Sequence, residues 1–118
     1  MITKQTVTQT LRDLGIRGDL KGFYYLRDAI CLAMEDFSIV HSITKQLYPT
    51  VAKMNNTTPT RVERAMRHAI ERYWEHVNDE LCGKLFGHYS KYVPTTRDFV
   101  ATVADHLLME NERRDRCF

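Results

Sequence analysis

A chain of 118 residues, 43% apolar and 27% charged, is long enough to bury a core and too apolar to be disordered throughout. Its net charge of +2 at pH 7 excludes a uniformly basic or acidic protein, so any polyanion contact must come from a local stripe of charge. The cysteines Cys31, Cys82 and Cys117 are odd in number and widely spaced. That pattern excludes a disulfide framework and a zinc knuckle, and Cys31 and Cys82 read as small core residues.

With no signal peptide and no long apolar run, the expectation is a soluble cytoplasmic protein without a membrane partner. In chain order, Val7, Leu11 and Leu14 recur at helical spacing and Gly15 supplies a stop. Gly18 and Gly22 bracket a turn. A second helix puts Phe23, Leu26, Ile30, Ala33, Met34 and Phe37 on one face, with Arg27, Asp28 and Glu35 mostly off it. The pattern weakens from Ser38 to Tyr48, where Ile43 and Leu47 read as buried. Tyr48 precedes a proline and is expected outside the α region. Pro49 then suits the first turn of a short helix to Met54, with Val51, Ala52 and Met54 as inward candidates. Asn55-Asn56-Thr57 has turn chemistry.

Thr57 or Thr58 can cap the next helix, with Pro59 at its first position; it is predicted to run to Trp74 or His76. Leu81, Leu85 and Phe86 suggest a brief helix ended by Gly87, and residues 88–94 read as a loop. Thr95 with Asp98 resembles a capping box for a last helix holding Phe99, Val100, Val103, Leu107 and Leu108. The charged residues 111–118 are expected to fray. No strand alternation, repeat or low-complexity segment appears.

The helix from Thr58 to Trp74 carries the chemistry. At about 100° per residue, Val62, Ala65, Met66, Ala69, Ile70 and Tyr73 form an apolar stripe, with the small Ala65 and Ala69 allowing close packing. The other face holds Thr60, Arg61, Glu63, Arg64, Arg67, His68, Glu71 and Arg72. An α-helix fits the major groove of B-DNA; arginine can donate two parallel bonds to guanine, and glutamate can accept from the cytosine amino group. Glu63 and Arg64 can thus read neighbouring positions, Arg61 and Arg67 can reach phosphates or guanines, and His68 can donate to either. The competing interpretation is a solvated face laced by Glu63–Arg67 and Arg67–Glu71 pairs four residues apart. A short helix, a tight Asn-Asn-Thr-Thr turn and a long basic helix have the layout of a helix-turn-helix at about residues 49–76, which favours DNA.

The run SITKQLYPTVAKMNNTTPTRVERAMRHAIERYW, Ser42 to Trp74, closely resembles the C-terminal DNA-binding effector domain family of the sporulation master response regulator, stage zero sporulation protein A. KGFYYLRDAI (Lys21–Ile30), LFG (Leu85–Gly87) and FVATVADHL (Phe99–Leu107) resemble further segments, so the likeness covers nearly the whole chain. Its most specific stretch is the ungapped RVERAMRHAIE, Arg61 to Glu71.

The resemblance implies an all-α, compact six-helix domain that activates or represses transcription from boxes of the form TGTCGAA. It also implies base reading by Glu63, Arg64, Arg67 and His68, and contact with an RNA polymerase sigma factor through the segment from Asp79 to Gly87, with Asp79, Glu80, Leu85 and Phe86 as candidates. Thr58, Thr60, Arg61, Arg72, Lys45 and Lys53 are the candidate phosphate contacts. Self-association on tandem boxes is expected, with the last helix as a candidate contact. Three departures stand out. The 88–94 loop is short, Val77 stands where a glycine often ends the recognition helix, and Leu81 and Cys82 replace a polar pattern. The family's receiver domain, whose aspartyl phosphorylation controls dimerisation, has no counterpart in these residues. They read equally as an excised effector domain or a stand-alone relative.

Two other classes compete. A helical protein-interaction module would use the apolar stripes and the Leu81–Phe86 segment without touching DNA. A metal-dependent hydrolase would need His68, Glu71, Glu75 and His76, yet His68 and His76 lie two turns apart and no HExxH motif is present. With no catalytic triad and no phosphate-cradling glycine loop either, an enzyme is not expected, nor any cofactor or metal.

Overall fold

The computed structural model describes residues 3–75, 80–87 and 92–116, and among them are six α-helices and no strand. Helix α1 spans Lys4–Leu14 and buries Val7, Leu11 and Leu14, the stripe its spacing predicts. Gly15 ends it at φ 104°, and Ile16 N–H reaches back to the Leu11 carbonyl (3.0 Å). Only glycine adopts that left-handed backbone without strain.

Helix α2, Lys21–Glu35, lies at the centre of the domain and packs on α1 and on three helices that follow it. Phe23, Leu26, Ile30 and Ala33 are buried as predicted, and Tyr25 and Ala29 join them. Two expectations fail here. Asp28 is buried at 4% exposure, because its carboxylate is satisfied inside the fold. Phe37 is not part of the stripe: α2 ends at Glu35, and Phe37 opens a 3₁₀ turn (Phe37–His41) with 37% of its surface exposed. Asp36 causes the break, since its side chain accepts from the N–H (3.1 Å) and hydroxyl (2.6 Å) of Ser38 and caps the turn instead of continuing the helix.

The weakly patterned stretch after it folds as a π turn, Ile43–Leu47, burying Ile43 and Leu47. Leu47 N–H bonds the Ser42 carbonyl five residues back (3.1 Å). Helix α3, Tyr48–Met54, follows without a break. Tyr48 therefore sits in the α region (φ −60°, ψ −46°) despite preceding Pro49, against the sequence expectation. Its N–H bonds the Ile43 carbonyl five residues back, so the π turn runs directly into α3 and outweighs the local preference for extended backbone before proline. Met54 faces solvent at 53% exposure, since it ends the helix beyond Val51 and Ala52, which are buried.

Helix α4, Pro59–Trp74, helix α5, Glu80–Phe86, and helix α6, Thr96–Arg116, complete the domain. Trp74 of α4, Phe86 of α5 and Phe99 of α6 form an aromatic junction: Phe86 stacks on Phe99 at 5.5 Å, and Trp74 meets Phe86 edge-on at 5.5 Å. Helix α6 is capped as expected, Thr95 Oγ1 accepting from Asp98 N–H (3.1 Å), and buries Phe99, Val100, Val103 and Leu107. It does not stop near Leu108. It continues as helix through 111–116, within the segment expected to fray, and Asn111 is half-buried beside α1; residues 117–118 lie outside the described residues.

Candidate nucleic-acid interface

The turn between α3 and α4 is built by its asparagines. Asn56 takes a left-handed conformation (φ 53°), and Thr57 N–H bonds the Ala52 carbonyl (2.9 Å) while Asn56 N–H bonds that of Lys53 (3.4 Å). Together with the Asn55 N–H, which also reaches the Ala52 carbonyl (3.2 Å), these bonds cap the C-terminal end of α3. Thr58 then caps α4, its hydroxyl oxygen accepting from Arg61 N–H (3.3 Å), and Pro59 occupies the first helical position, where a missing N–H costs nothing.

A polar anchor holds this turn to the core. Asn55 Nδ2 donates to Asp28 Oδ2 (2.9 Å) and to the Val51 carbonyl (2.9 Å). The other Asp28 oxygen pairs with Arg27 at 3.3 Å, and the Arg27 guanidinium lies 5.2 Å above the Tyr24 ring. Hydrophobic periodicity has no means of flagging this group, because a buried carboxylate looks like any other polar residue on a wheel.

Helix α4 presents the two faces its sequence describes. Val62, Met66, Ala69, Ile70 and Tyr73 are buried, Ala65 is half-buried, and Thr60, Arg61, Arg64, Arg67, His68, Glu71 and Arg72 are exposed. Its crossing with α2 is unusually close. A Cβ built on Gly22 would overlap the Ala65 carbonyl oxygen and fall 2.7 Å from Ala69 Cβ. Gly22 thus lets α4 seat deeply, and the signal for it was the pair of alanines facing a glycine in the first turn of α2.

On the exposed face the charged groups differ in how far they are engaged. Arg67 Nε donates to Glu63 Oε1 at 3.0 Å, one turn apart, which leaves the terminal guanidinium nitrogens able to donate elsewhere. Arg72 lies 3.8 Å from Glu75, a loose pair. Among the described residues, no hydrogen bond or ion pair occupies the side chains of Arg64 or His68. Arg64 stands opposite the buried stripe, at the crest of the helix. Lys45 on the π turn and Lys53 at the end of α3 are exposed on elements that pack against α4 or against one another. Eight of the ten sequence candidates thus lie on α4 or at its cap, where Thr58 sits, and the two lysines are exposed on the neighbouring elements.

The sigma-contact candidates are placed less uniformly. Glu80 is exposed at the start of α5, Leu85 is half-buried, and Phe86 is half-buried with its ring committed to Phe99 and Trp74. Asp79, Val77, His76 and residues 88–91 lie outside the described residues. No cluster of three or more His, Cys, Asp or Glu able to hold a metal ion occurs among the described residues, and no described helix is long and apolar enough to cross a membrane.

One side of α4 is bordered by a groove of about 520 Å³, formed with the π turn and the segment 93–97; Tyr48, Glu63, Arg67, Thr96 and Arg97 all line it. Sequence reading singled out neither Tyr48 nor Arg97 as a site residue. A solvent-facing arginine helix rising from a helix-turn-helix is the arrangement that lets side chains reach base edges while neighbouring cations meet phosphates. A family model described as Sporulation initiation factor Spo0A C terminal matches residues 7–107, and the chain belongs to that family, the DNA-binding effector domains of sporulation response regulators.

Proposed function

We propose that α4 enters the major groove of TGTCGAA-like boxes and reads them through Glu63, Arg64, Arg67 and His68, regulating transcription at those sites. The observation that carries this reading is Arg64: exposed, opposite the buried stripe, and engaged by no partner among the described residues. Its planar fork can donate to guanine O6 and N7 together. Glu63 keeps acceptor capacity for a cytosine amino group while it steadies Arg67.

Arg61, Arg72, Lys45 and Lys53, with the hydroxyls of Thr58 and Thr60, neutralise or bond the flanking phosphates. These contacts supply affinity and orientation, not sequence information. Two domains bound about 10 base pairs apart lie on the same side of the duplex and can touch through α6. Glu80 and Leu85 of α5, with Asp79, face a sigma factor.

Binding titrations with matched and singly mismatched duplexes test the assignment. Arg64→Ala costs about 1–3 kcal/mol at its cognate base pair and flattens preference there. Lys53→Ala weakens all duplexes alike and lowers the logarithmic salt slope by about 0.9. An Arg64→Ala protein with undiminished discrimination, or no retention of the wild type on DNA at low salt, refutes the reading; the latter would favour a protein-interaction module.

A further inference from the structure

We propose that Asp28 is a positioning residue for the DNA backbone: by holding the Asn55 side chain it fixes the turn between α3 and α4 where Lys53 and the first turn of α4 meet phosphates. This inference rests on the reading of α3 and α4 as the DNA-binding surface.

Among the described residues Asp28 is the one charged side chain that is buried. Taking a carboxylate out of water is costly, and an ion pair with Arg27 offsets that cost only in part. An apolar side chain of similar size would be buried without that cost, but apolar contact has no direction. The carboxylate supplies one. Its Oδ2 accepts from Asn55 Nδ2 at 2.9 Å, while Arg27 donates to Oδ1 through Nε (3.4 Å) and Nη2 (3.3 Å). Arg27 thus steadies the carboxylate, and the carboxylate steadies the turn. Asp28 also lies six residues beyond Gly22, about 9 Å along α2 at 1.5 Å per residue. The same helix therefore holds the helix-turn-helix unit at two points, through backbone at Gly22 and through a hydrogen bond at Asp28.

The turn has little else to fix it. Asn56, Thr58 and Pro59 are exposed. The bonds from Asn55 Nδ2 to the Val51 carbonyl, from Thr57 N–H to the Ala52 carbonyl and from Arg61 N–H to Thr58 Oγ1 all stay within α3 and α4. Among the described residues, the Asn55–Asp28 bond is the one side-chain hydrogen bond that ties residues 55–58 to a different helix. Four of the six phosphate candidates flank it: Lys53 just before Asn55, and Thr58, Thr60 and Arg61 just after. The base-reading candidates Arg64, Arg67 and His68 stand further along α4, above the buried Val62, Met66 and Ala69. Their seat depends on that stripe and not on the turn. Losing the bond therefore lets the phosphate-binding segment drift while base reading stays in place.

The test measures Kd on a duplex carrying a single TGTCGAA box, and on its single-base-pair variants, over a range of salt and well below every melting point. Asn55→Ala removes the bond. Asp28→Asn gives up the charge toward Arg27 but keeps an oxygen that can accept from Asn55. Val103→Ala opens a cavity in the core on α6 and serves as a control for lost stability. For Asn55→Ala the slope of log Kd against log salt should fall by about 0.9 to 1.8, the loss of one or two phosphate contacts, with base discrimination unchanged. Asp28→Asn and Val103→Ala should melt lower yet keep the wild-type slope. Added to Lys53→Ala, Asn55→Ala should lower the slope by less than it does alone. An unaltered slope for Asn55→Ala, an equal fall for Val103→Ala, or no rescue by Asp28→Asn overturns the proposal while leaving the DNA-binding surface in place. A wild type whose binding ignores both salt and base sequence overturns both.

Discussion

Replacing Gly22 with alanine should loosen the seat of the recognition helix. The added Cβ would overlap the Ala65 carbonyl oxygen and sit 2.7 Å from Ala69 Cβ, whereas carbon and oxygen ordinarily approach to about 3.3 Å. The obstructing carbonyl is backbone, so no rotamer change relieves it; α2 and α4 must part by about 1 Å. Overpacking of this kind costs about 1–3 kcal/mol, and a rigid obstacle puts the cost toward the upper end. Alanine's better helix propensity returns at most about 1 kcal/mol. The net loss is about 1–2 kcal/mol, which lowers the melting temperature by about 4–8 °C for a domain of this size. Circular dichroism melts measure it. Gly18→Ala is the internal control, since a Cβ there meets nothing within 4 Å, and its melting temperature should hold or rise slightly. Discrimination among duplexes, measured well below the melting point, should also fall for Gly22→Ala, because the displaced backbone carries Arg64 and His68. A Gly22→Ala protein that melts at or above the wild type refutes the close crossing.

The polar anchor makes a second prediction. Asp28→Ala leaves one of the two Asn55 amide donor bonds unmade and a largely buried Arg27 without its carboxylate, and should cost about 2–3 kcal/mol in urea unfolding. Asn55→Ala should cost less, and the double variant should fall short of the sum; full additivity would show that the two groups do not act as a unit. For the cysteines, burial pushes the Cys31 thiol above its ordinary range, with Asp28 adding to the shift, so alkylation by iodoacetamide at pH 8 should be slow. Mass spectrometry of the intact chain followed by peptide mapping reads the rate, and labelling of Cys31 as fast as free cysteine would contradict its placement against the core.

What was legible in the sequence follows from which forces leave a periodic trace. Val62, Met66, Ala69, Ile70 and Tyr73 are buried because a long amphipathic helix has one way to hide them, and that same constraint turns Arg61, Arg64 and His68 outward. The turn before α4 was legible because Asn56 tolerates the left-handed backbone that closes it. Asp28 was not legible, since its burial depends on Asn55, twenty-seven positions away. Nor was the conformation of Tyr48, where local proline chemistry argued for an extended residue and the π turn overruled it. The close crossing at Gly22 was half legible: Ala65 and Ala69 announced that something approaches, and only the fold says what.

These details bear unequally on the two edges of α4. Along the edge nearer Ala65 and Ala69, the helix rests on α2 through backbone atoms, a contact that admits no adjustment without moving a whole element. Arg61 and Arg72 stand beside that edge, and phosphate binding tolerates long, mobile side chains provided the helix itself is placed correctly. Along the opposite edge, Glu63 and Arg67 border a groove whose far wall is made of side chains, Tyr48, Thr96 and Arg97 among them. Side chains that line an open groove can be exchanged one at a time without moving a whole element. Divergence in sequence preference within such a domain should therefore collect on the Glu63–Arg67 side, where a change in reading need not be a change in stability, and not at Gly22, where every change is both.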